Sequence, residues 1–229
     1  MIGFYDYTVL LTYLSLLSAC TGIIVSLAGP GHPYIGTFFL LLCGLCDAFD
    51  GKVARRKKDR SDAERAFGIQ IDSLSDLVAF GVLPVAIGVA MLRWSPIMYW
   101  VGANSSHAVF ILLDAALVAI LILYSLAALI RLAYFNVTEE ERQKTEDGAR
   151  KYYLGMPVTT VSIIFPFIQL LQYIIPSDVT FVYFGTAVIC GIAFLVPVQI
   201  KKPGLKGILL MVGIGAVEFA LMLLGRLLK

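Results

Sequence analysis

The stretch YIGTFFLLLCGLCDAFDGKVARR, residues 34–56, runs from one of the most apolar segments of the chain straight into a cluster of charge. The apolar part suits a membrane interior, yet it ends by placing Asp47 and Asp50 at i, i+3, a spacing that sets both on one face of a helix. After a basic loop the segment IDSLSDLVAFGV, residues 71–82, repeats the pattern in mirror order: Asp72 and Asp76, at i, i+4, open another apolar run. Reading these two segments as sequential, antiparallel membrane helices brings both acidic pairs to the same end, where they can face each other.

The rest of the chain supports that reading. Its 229 residues are 59% hydrophobic and 15% charged, and its mean hydropathy is +0.85. An average soluble domain carries about 25% charge, so these values exclude an ordinary water-soluble domain. A bilayer core takes ~20 apolar residues per helix. Seven stretches qualify, roughly 8–29, 34–51, 69–92, 107–135, 156–176, 179–199 and 207–225. The predicted fold class is therefore all-α: a polytopic membrane helix bundle of six core transmembrane helices plus an additional C-terminal span, interrupted by Glu218. Short connections predict one domain over residues 1–229 with no appended soluble module.

Charge is distributed unevenly along the connections. Lys52, Arg55, Arg56, Lys57, Lys58, Arg60 and Arg65 crowd one loop, Arg142, Lys144, Arg150 and Lys151 a second, and Lys201, Lys202 and Lys206 a third, whereas the intervening connections carry only Arg93. The positive-inside rule then puts loops 52–67, 137–154 and 200–206, and by parity the N-terminus, in the cytoplasm. Residues 8–29 lack a preceding Lys or Arg and a following cleavage pattern, so they read as a retained first helix. Cys20, Cys43, Cys46 and Cys190 all lie in apolar runs, and the C-x-x-C spacing of Cys43 and Cys46 has no second pair or histidine cluster beside it, which predicts neither disulfide nor zinc. His32 and His107 read as interfacial residues, and no nucleic-acid partner is expected.

An ionised side chain in a membrane segment costs ~2.5–3.5 kcal/mol, so four aspartates at two helix ends need compensation. Taken singly, each has a plain explanation: Asp47 and Asp50 can pair with Lys52, Arg55 or Arg56, and Asp72 and Asp76 can cap a helix or face water. Taken together, four converging carboxylates would repel one another unless cations lay between them. Two divalent ions would cancel the four charges. Oxygen ligands suit Mg2+ or Mn2+, and Mg2+ is usually held jointly by a few carboxylates and a substrate's phosphates. A phosphate-bearing substrate and displacement at phosphorus follow from that chemistry. A cation pathway is the rival from a different class, but such a path needs polar groups through the membrane, and the far halves of these helices read YIGTFFLLL and VAIGVAML.

The spacing also resembles a known pattern. DAFDGKVAR followed by GIQIDSLSD is similar to the CDP-alcohol phosphotransferase signature D-x2-D-G-x2-A-R, then G-x3-D-x3-D, with all eight fixed positions present: Asp47, Asp50, Gly51, Ala54, Arg55, Gly68, Asp72 and Asp76. Twelve residues separate Arg55 from Gly68, a longer spacer than the family's usual one. IDSLSDLVAFGVLP, RLAYFNV (131–137) and the G-x-P-x-T element in YYLGMPVTT resemble the phosphatidylserine synthase branch, extending the likeness over roughly residues 10–165.

The resemblance implies transfer of a phosphatidyl group from CDP-diacylglycerol to L-serine, with CMP released. It implies that Asp47, Asp50, Asp72 and Asp76 ligate two divalent cations, with Asp76 also the general base. Gly51, Ala54, Arg55 and Gly68 fall at its CDP-lipid positions, and a homodimer among membrane lipids is the family's usual form. Arg131, set in the apolar context AALIRLAYFNV, is the expected partner of a serine carboxylate or lipid phosphate, with Asn136 beside it. Related acceptors or lipids, giving phosphatidylglycerol phosphate, phosphatidylinositol phosphate or archaetidylserine, remain alternatives. A phosphorylated acceptor would call for a denser basic cluster than Arg131 provides.

Overall fold

A computed structural model describes residues 3–29, 31–145, 152–175, 177–201 and 205–227. Four helical units are long and apolar enough to cross a membrane: α1 (Leu10–Leu27), α2 (Pro33–Ala54), the continuous rod Asp62–Trp94, and α6 (His107–Thr145). Three shorter apolar helices complete the set, α7 (Val161–Ile174), α8 (Thr180–Leu195) and α9 (Leu205–Leu227). These seven units fall on the seven apolar stretches of the sequence. Their outward surfaces are apolar too: Leu17, Ile24, Leu112, Leu123, Ile189 and Leu210 are each more than half exposed. A hydrocarbon surround explains that where water would not, and the chain is an integral membrane protein.

Three details depart from the sequence reading. The rod is not one regular helix: α3 (Asp62–Asp76) and α4 (Leu83–Trp94) are joined by a π-helical turn, Leu77–Val82. Pro84 has no N–H to offer the Phe80 carbonyl four residues back, which accounts for the widened turn at this point. The Tyr124 hydroxyl donates to that carbonyl at 2.6 Å, and the Tyr183 hydroxyl to the Pro84 carbonyl at 2.7 Å. Secondly, the fourth span does not end near residue 135; α6 continues to Thr145, with Arg142 paired to Glu139 at 2.7 Å on its polar extension. Thirdly, a short helix α5 (Pro96–Asn104) occupies the connection after the rod, its start capped by the Ser95 hydroxyl.

The only β structure among the described residues is a ribbon of β1 (Tyr152–Leu154) against β2 (Gln199–Lys201), antiparallel with Tyr152 opposite Lys201. It ties the second and third basic connections together at one end of the bundle. At the same end the N-terminal segment meets the first basic loop, where Lys57 bonds Asp6 at 2.7 Å. At the opposite end Arg93 bonds the Leu27 carbonyl, Trp94 the Gly31 carbonyl, and Ser95 the Asp178 carboxylate. Burial there pushes the Asp178 acid up, but hydrogen bonds from Ser95 and Thr180 outweigh it and hold the carboxyl below its usual range. Of the basic residues used to orient the chain, Arg150, Lys151 and Lys202 lie outside the described residues.

The core is built around packed rings. Phe165 stacks on Tyr183 at 4.5 Å, and Tyr124 meets both Phe165 and Phe194 at 5.7 Å, all four fully or almost fully buried. Helix α2 packs most closely on α1, and then on α7 and α4 rather than on α3. The Asp-bearing ends of α2 and α3 are not closely packed on each other, and it is their side chains that meet.

Candidate active site

One acidic pair lies towards the end of α2, and the other lies inside the rod, which starts ten residues before Asp72. Asp47 and Asp50 lie near the C-terminal end of α2, while Asp72 and Asp76 close α3 just before the π turn. A capping box starts α3: the Glu64 N–H donates to the Ser61 hydroxyl at 3.2 Å, and the Ser61 N–H to the Glu64 carboxylate at 2.7 Å. Ser75 anchors the other end of the helix by donating to the Thr12 carbonyl of α1 at 3.2 Å.

Carboxylate oxygens of Asp47, Asp50 and Asp72 come within 4.8 Å of one another. Oxygens bound to a common ion at 2.0–2.6 Å stand ~3–5 Å apart, so this group has the size of a divalent-cation site made of hard ligands. All three residues are partly exposed, which leaves an approach for a ligand from outside. Asp50 additionally accepts from the Gly51 N–H. Asp76 is not one of the three. It is buried one turn further along α3, within electrostatic reach of Asp47, Asp72 and Asp50.

Thr159, to which the sequence reading gave no role, is a side-chain neighbour of Asp47. It lies in a single 3-10 turn, Val158–Thr160, at the start of α7. The close approach of α2 to α7 makes this contact: a side chain at Gly44 would overlap the Ser162 hydroxyl, which itself donates to the Thr159 carbonyl at 2.7 Å. The signal available in the sequence was the threonine of the G-x-P-x-T element.

Among the other expected site residues, Gly51 and Ala54 line the last turn of α2, and the Arg55 guanidinium folds back over Gly51, 3.2 Å from where a Cβ would stand. Gly68 is one turn before Asp72. Asn136 joins α6 to α3 beside the acids, its amide donating to the Ser73 hydroxyl at 2.7 Å. Arg131 is buried; its Nε donates to the Met156 carbonyl at 3.3 Å and its guanidinium lies 5.4 Å from the Phe135 ring centre. It borders a cavity of about 260 Å³ with Tyr134, Leu154, Phe194 and Val196, and none of the four aspartates lines that cavity. The segment 155–160 bridges the two regions, because the Met156 carbonyl accepts from Arg131 and Thr159 lies beside Asp47. Gly155, at φ +79°, takes the left-handed turn that permits this path, with the Phe194 and Val196 carbonyls crowding the place of a side chain.

Comparison with known proteins places this geometry. A family model described as CDP-alcohol phosphatidyltransferase matches residues 8–197, leaving α9 outside. CDP-diacylglycerol–serine O-phosphatidyltransferase of Saccharomyces cerevisiae is 34% identical over 157 residues, covering 65% of this chain and 49% of the yeast protein. The protein of that name from Bacillus subtilis is 29% identical over 160 residues, 70% of each chain. Archaetidylserine synthase of Methanothermobacter thermautotrophicus is 30% identical over 151 residues, 66% of this chain and 53% of the archaeal one. Against the yeast and archaeal proteins the chain spans about half their length. No solved structure matches it.

Proposed function

This chain belongs to the CDP-alcohol phosphatidyltransferase family, and from that premise we propose that it transfers the phosphatidyl group of CDP-diacylglycerol to the hydroxyl of L-serine, releasing CMP. The observation that carries the proposal is the convergence of Asp47, Asp50 and Asp72 from two helices, with Asp76 buried beside them. The names of the yeast and Bacillus relatives support CDP-diacylglycerol and serine, and the archaeal relative's name supports the same headgroup on a different lipid.

In this reading residues 1–229 act as one unit in the cytoplasmic membrane with the acidic end facing the cytosol. That placement suits a lipid that stays in the bilayer and a water-soluble acceptor and product. Asp47, Asp50 and Asp72, with Asp76, hold two divalent cations, Mg2+ or Mn2+, which when bound neutralise the carboxylates and the pyrophosphate charge of the substrate. Gly51, Ala54 and Gly68 carry little or no side chain at the nucleotide's side of the helices, and Arg55, folded over Gly51, offers a guanidinium to its phosphates. Asp76 takes the proton of the serine hydroxyl as its oxygen bonds to phosphorus and the bond to the CMP oxygen breaks, a general-base contribution typically worth ~10²–10⁴-fold. Arg131 holds the serine carboxylate from the α6 side, and Asn136 fixes the distance between α6 and α3 through Ser73. A homodimer in the membrane completes the proposal.

The deciding experiment follows CMP release from CDP-diacylglycerol by the purified chain in detergent, with and without chelator, offering serine, glycerol 3-phosphate and inositol phosphate in parallel. Cation-dependent CMP release with serine is expected. Release with a phosphorylated acceptor alone would overturn the serine assignment, and no release with any acceptor would overturn the enzymatic one.

A further inference from the structure

The stretch between the two halves of the signature, RKKDRSDAERAF at 56–67, takes a defined shape. Lys57 sits between two acids, 2.7 Å from Asp6 and 2.6 Å from Glu64. Hydrogen bonds from Lys57 and then Thr8 hold the Asp6 carboxyl down at about 2, so this clamp is fully charged at neutral pH. The Phe4 ring meets the Phe67 ring edge-on at 5.3 Å, and the Tyr13 hydroxyl donates to the Phe4 carbonyl at 2.8 Å. The N-terminal segment is thereby strapped across the spacer.

Held in this way, the spacer turns Arg60 back along α3. Its Nη2 donates to the Glu64 carbonyl at 3.0 Å and lies against the bare face of Gly68, 2.5 Å from where a Cβ would stand. The Nε of Arg60 is buried with no hydrogen-bond partner. Arg55 rests on Gly51 of α2 in the same manner. Two guanidinium groups thus stand on two signature glycines, one on each helix, beside Asp50 on α2 and a turn from Asp72 on α3. A planar fork with spare donors at the edge of an acidic cluster matches the geometry of a phosphate ester, which is anionic and accepts paired hydrogen bonds.

We propose that Arg60, delivered by this spacer, is a second nucleotide-binding arginine that contacts a phosphate of the CDP-linked lipid from the α3 side, opposite Arg55. The proposal rests on the CDP-alcohol reading of the site.

The test compares the full-length chain with its Arg60→Ala and Arg60→Lys variants. CMP and CDP binding is measured calorimetrically in detergent with Mg2+, alongside KM for CDP-diacylglycerol, KM for serine and the thermal midpoint. Loss of a charge-assisted contact predicts about tenfold weaker CMP binding and a similar rise in the CDP-diacylglycerol KM for Arg60→Ala. The serine KM should stay within about twofold, and Arg60→Lys should recover only part of the affinity because it keeps the charge and loses the fork. Unchanged CMP affinity in Arg60→Ala would overturn the proposal, as would a fall in the thermal midpoint with both KM values rising together. A wild-type chain that binds CMP but transfers nothing to serine would remove the serine assignment and leave the Arg60 contact standing on its binding data. A wild-type chain that binds neither nucleotide would remove both.

Discussion

Asp76 differs from its three companions in depth and in company. It is buried, and it lies a turn away from the carboxylates of Asp47, Asp50 and Asp72, which come together without it. That position suits a group that handles a proton better than one that only holds a cation. Asp76→Asn keeps the size and removes the basicity, so CMP release should fall at least ~10²-fold. Nucleotide binding in the presence of Mg2+ should survive, since the convergent three remain. Near-normal turnover in that variant would exclude Asp76 as the base. The four acids were legible in the sequence because i, i+3 and i, i+4 spacing is a property of one helix. Thr159 as the neighbour of Asp47, and the seating of Arg60 on Gly68, were not, because each depends on where a second element comes to rest.

The rod formed by α3, the π turn and α4 shows the same limit for an element. An apolar run with two aspartates at its start predicts a membrane helix near residues 69–92, and the helix is there. The start at Asp62 is set by the Ser61–Glu64 capping box, and the widened turn by Pro84 together with hydroxyls from two distant helices. Tyr124 lies forty-four residues from the Phe80 carbonyl it bonds, beyond the reach of any local pattern. Tyr124→Phe removes this buried donor and should destabilise the bundle by about 1–3 kcal/mol, read as a lower thermal midpoint in detergent. Because the π turn begins directly after Asp76, turnover should fall with it. Tyr134→Phe, at an exposed position on the same helix, should shift the midpoint little. Equal midpoints for the two variants would show that the Tyr124 bond does not hold the turn.

For the molecule as a whole, charge distribution and fold converge on one arrangement. The first basic loop carries the Asp6 clamp, the second and third are joined by the β1–β2 ribbon, and the carboxylates of α2 and α3 lie at that end. At the opposite end Arg93 reaches Leu27, Trp94 reaches Gly31 and Ser95 reaches Asp178. Number and order of the apolar helices were legible from hydropathy, whereas the continuation of α6 and the helix α5 were not, since the first is too polar and the second too short to be set by the bilayer. The proposed orientation, taken from the positive-inside rule, puts the basic end in the cytosol. A cysteine in place of the exposed Asp59 should therefore react with a membrane-impermeant maleimide only when the inner face is accessible, and one in place of the exposed Asn104 only from outside. Both variants are made in a Cys20→Ser background, because Cys20 is exposed and Cys43, Cys46 and Cys190 are buried. Labelling of the residue-59 variant in intact cells would invert the orientation, and with it would go the argument that serine and CMP exchange with the cytosol.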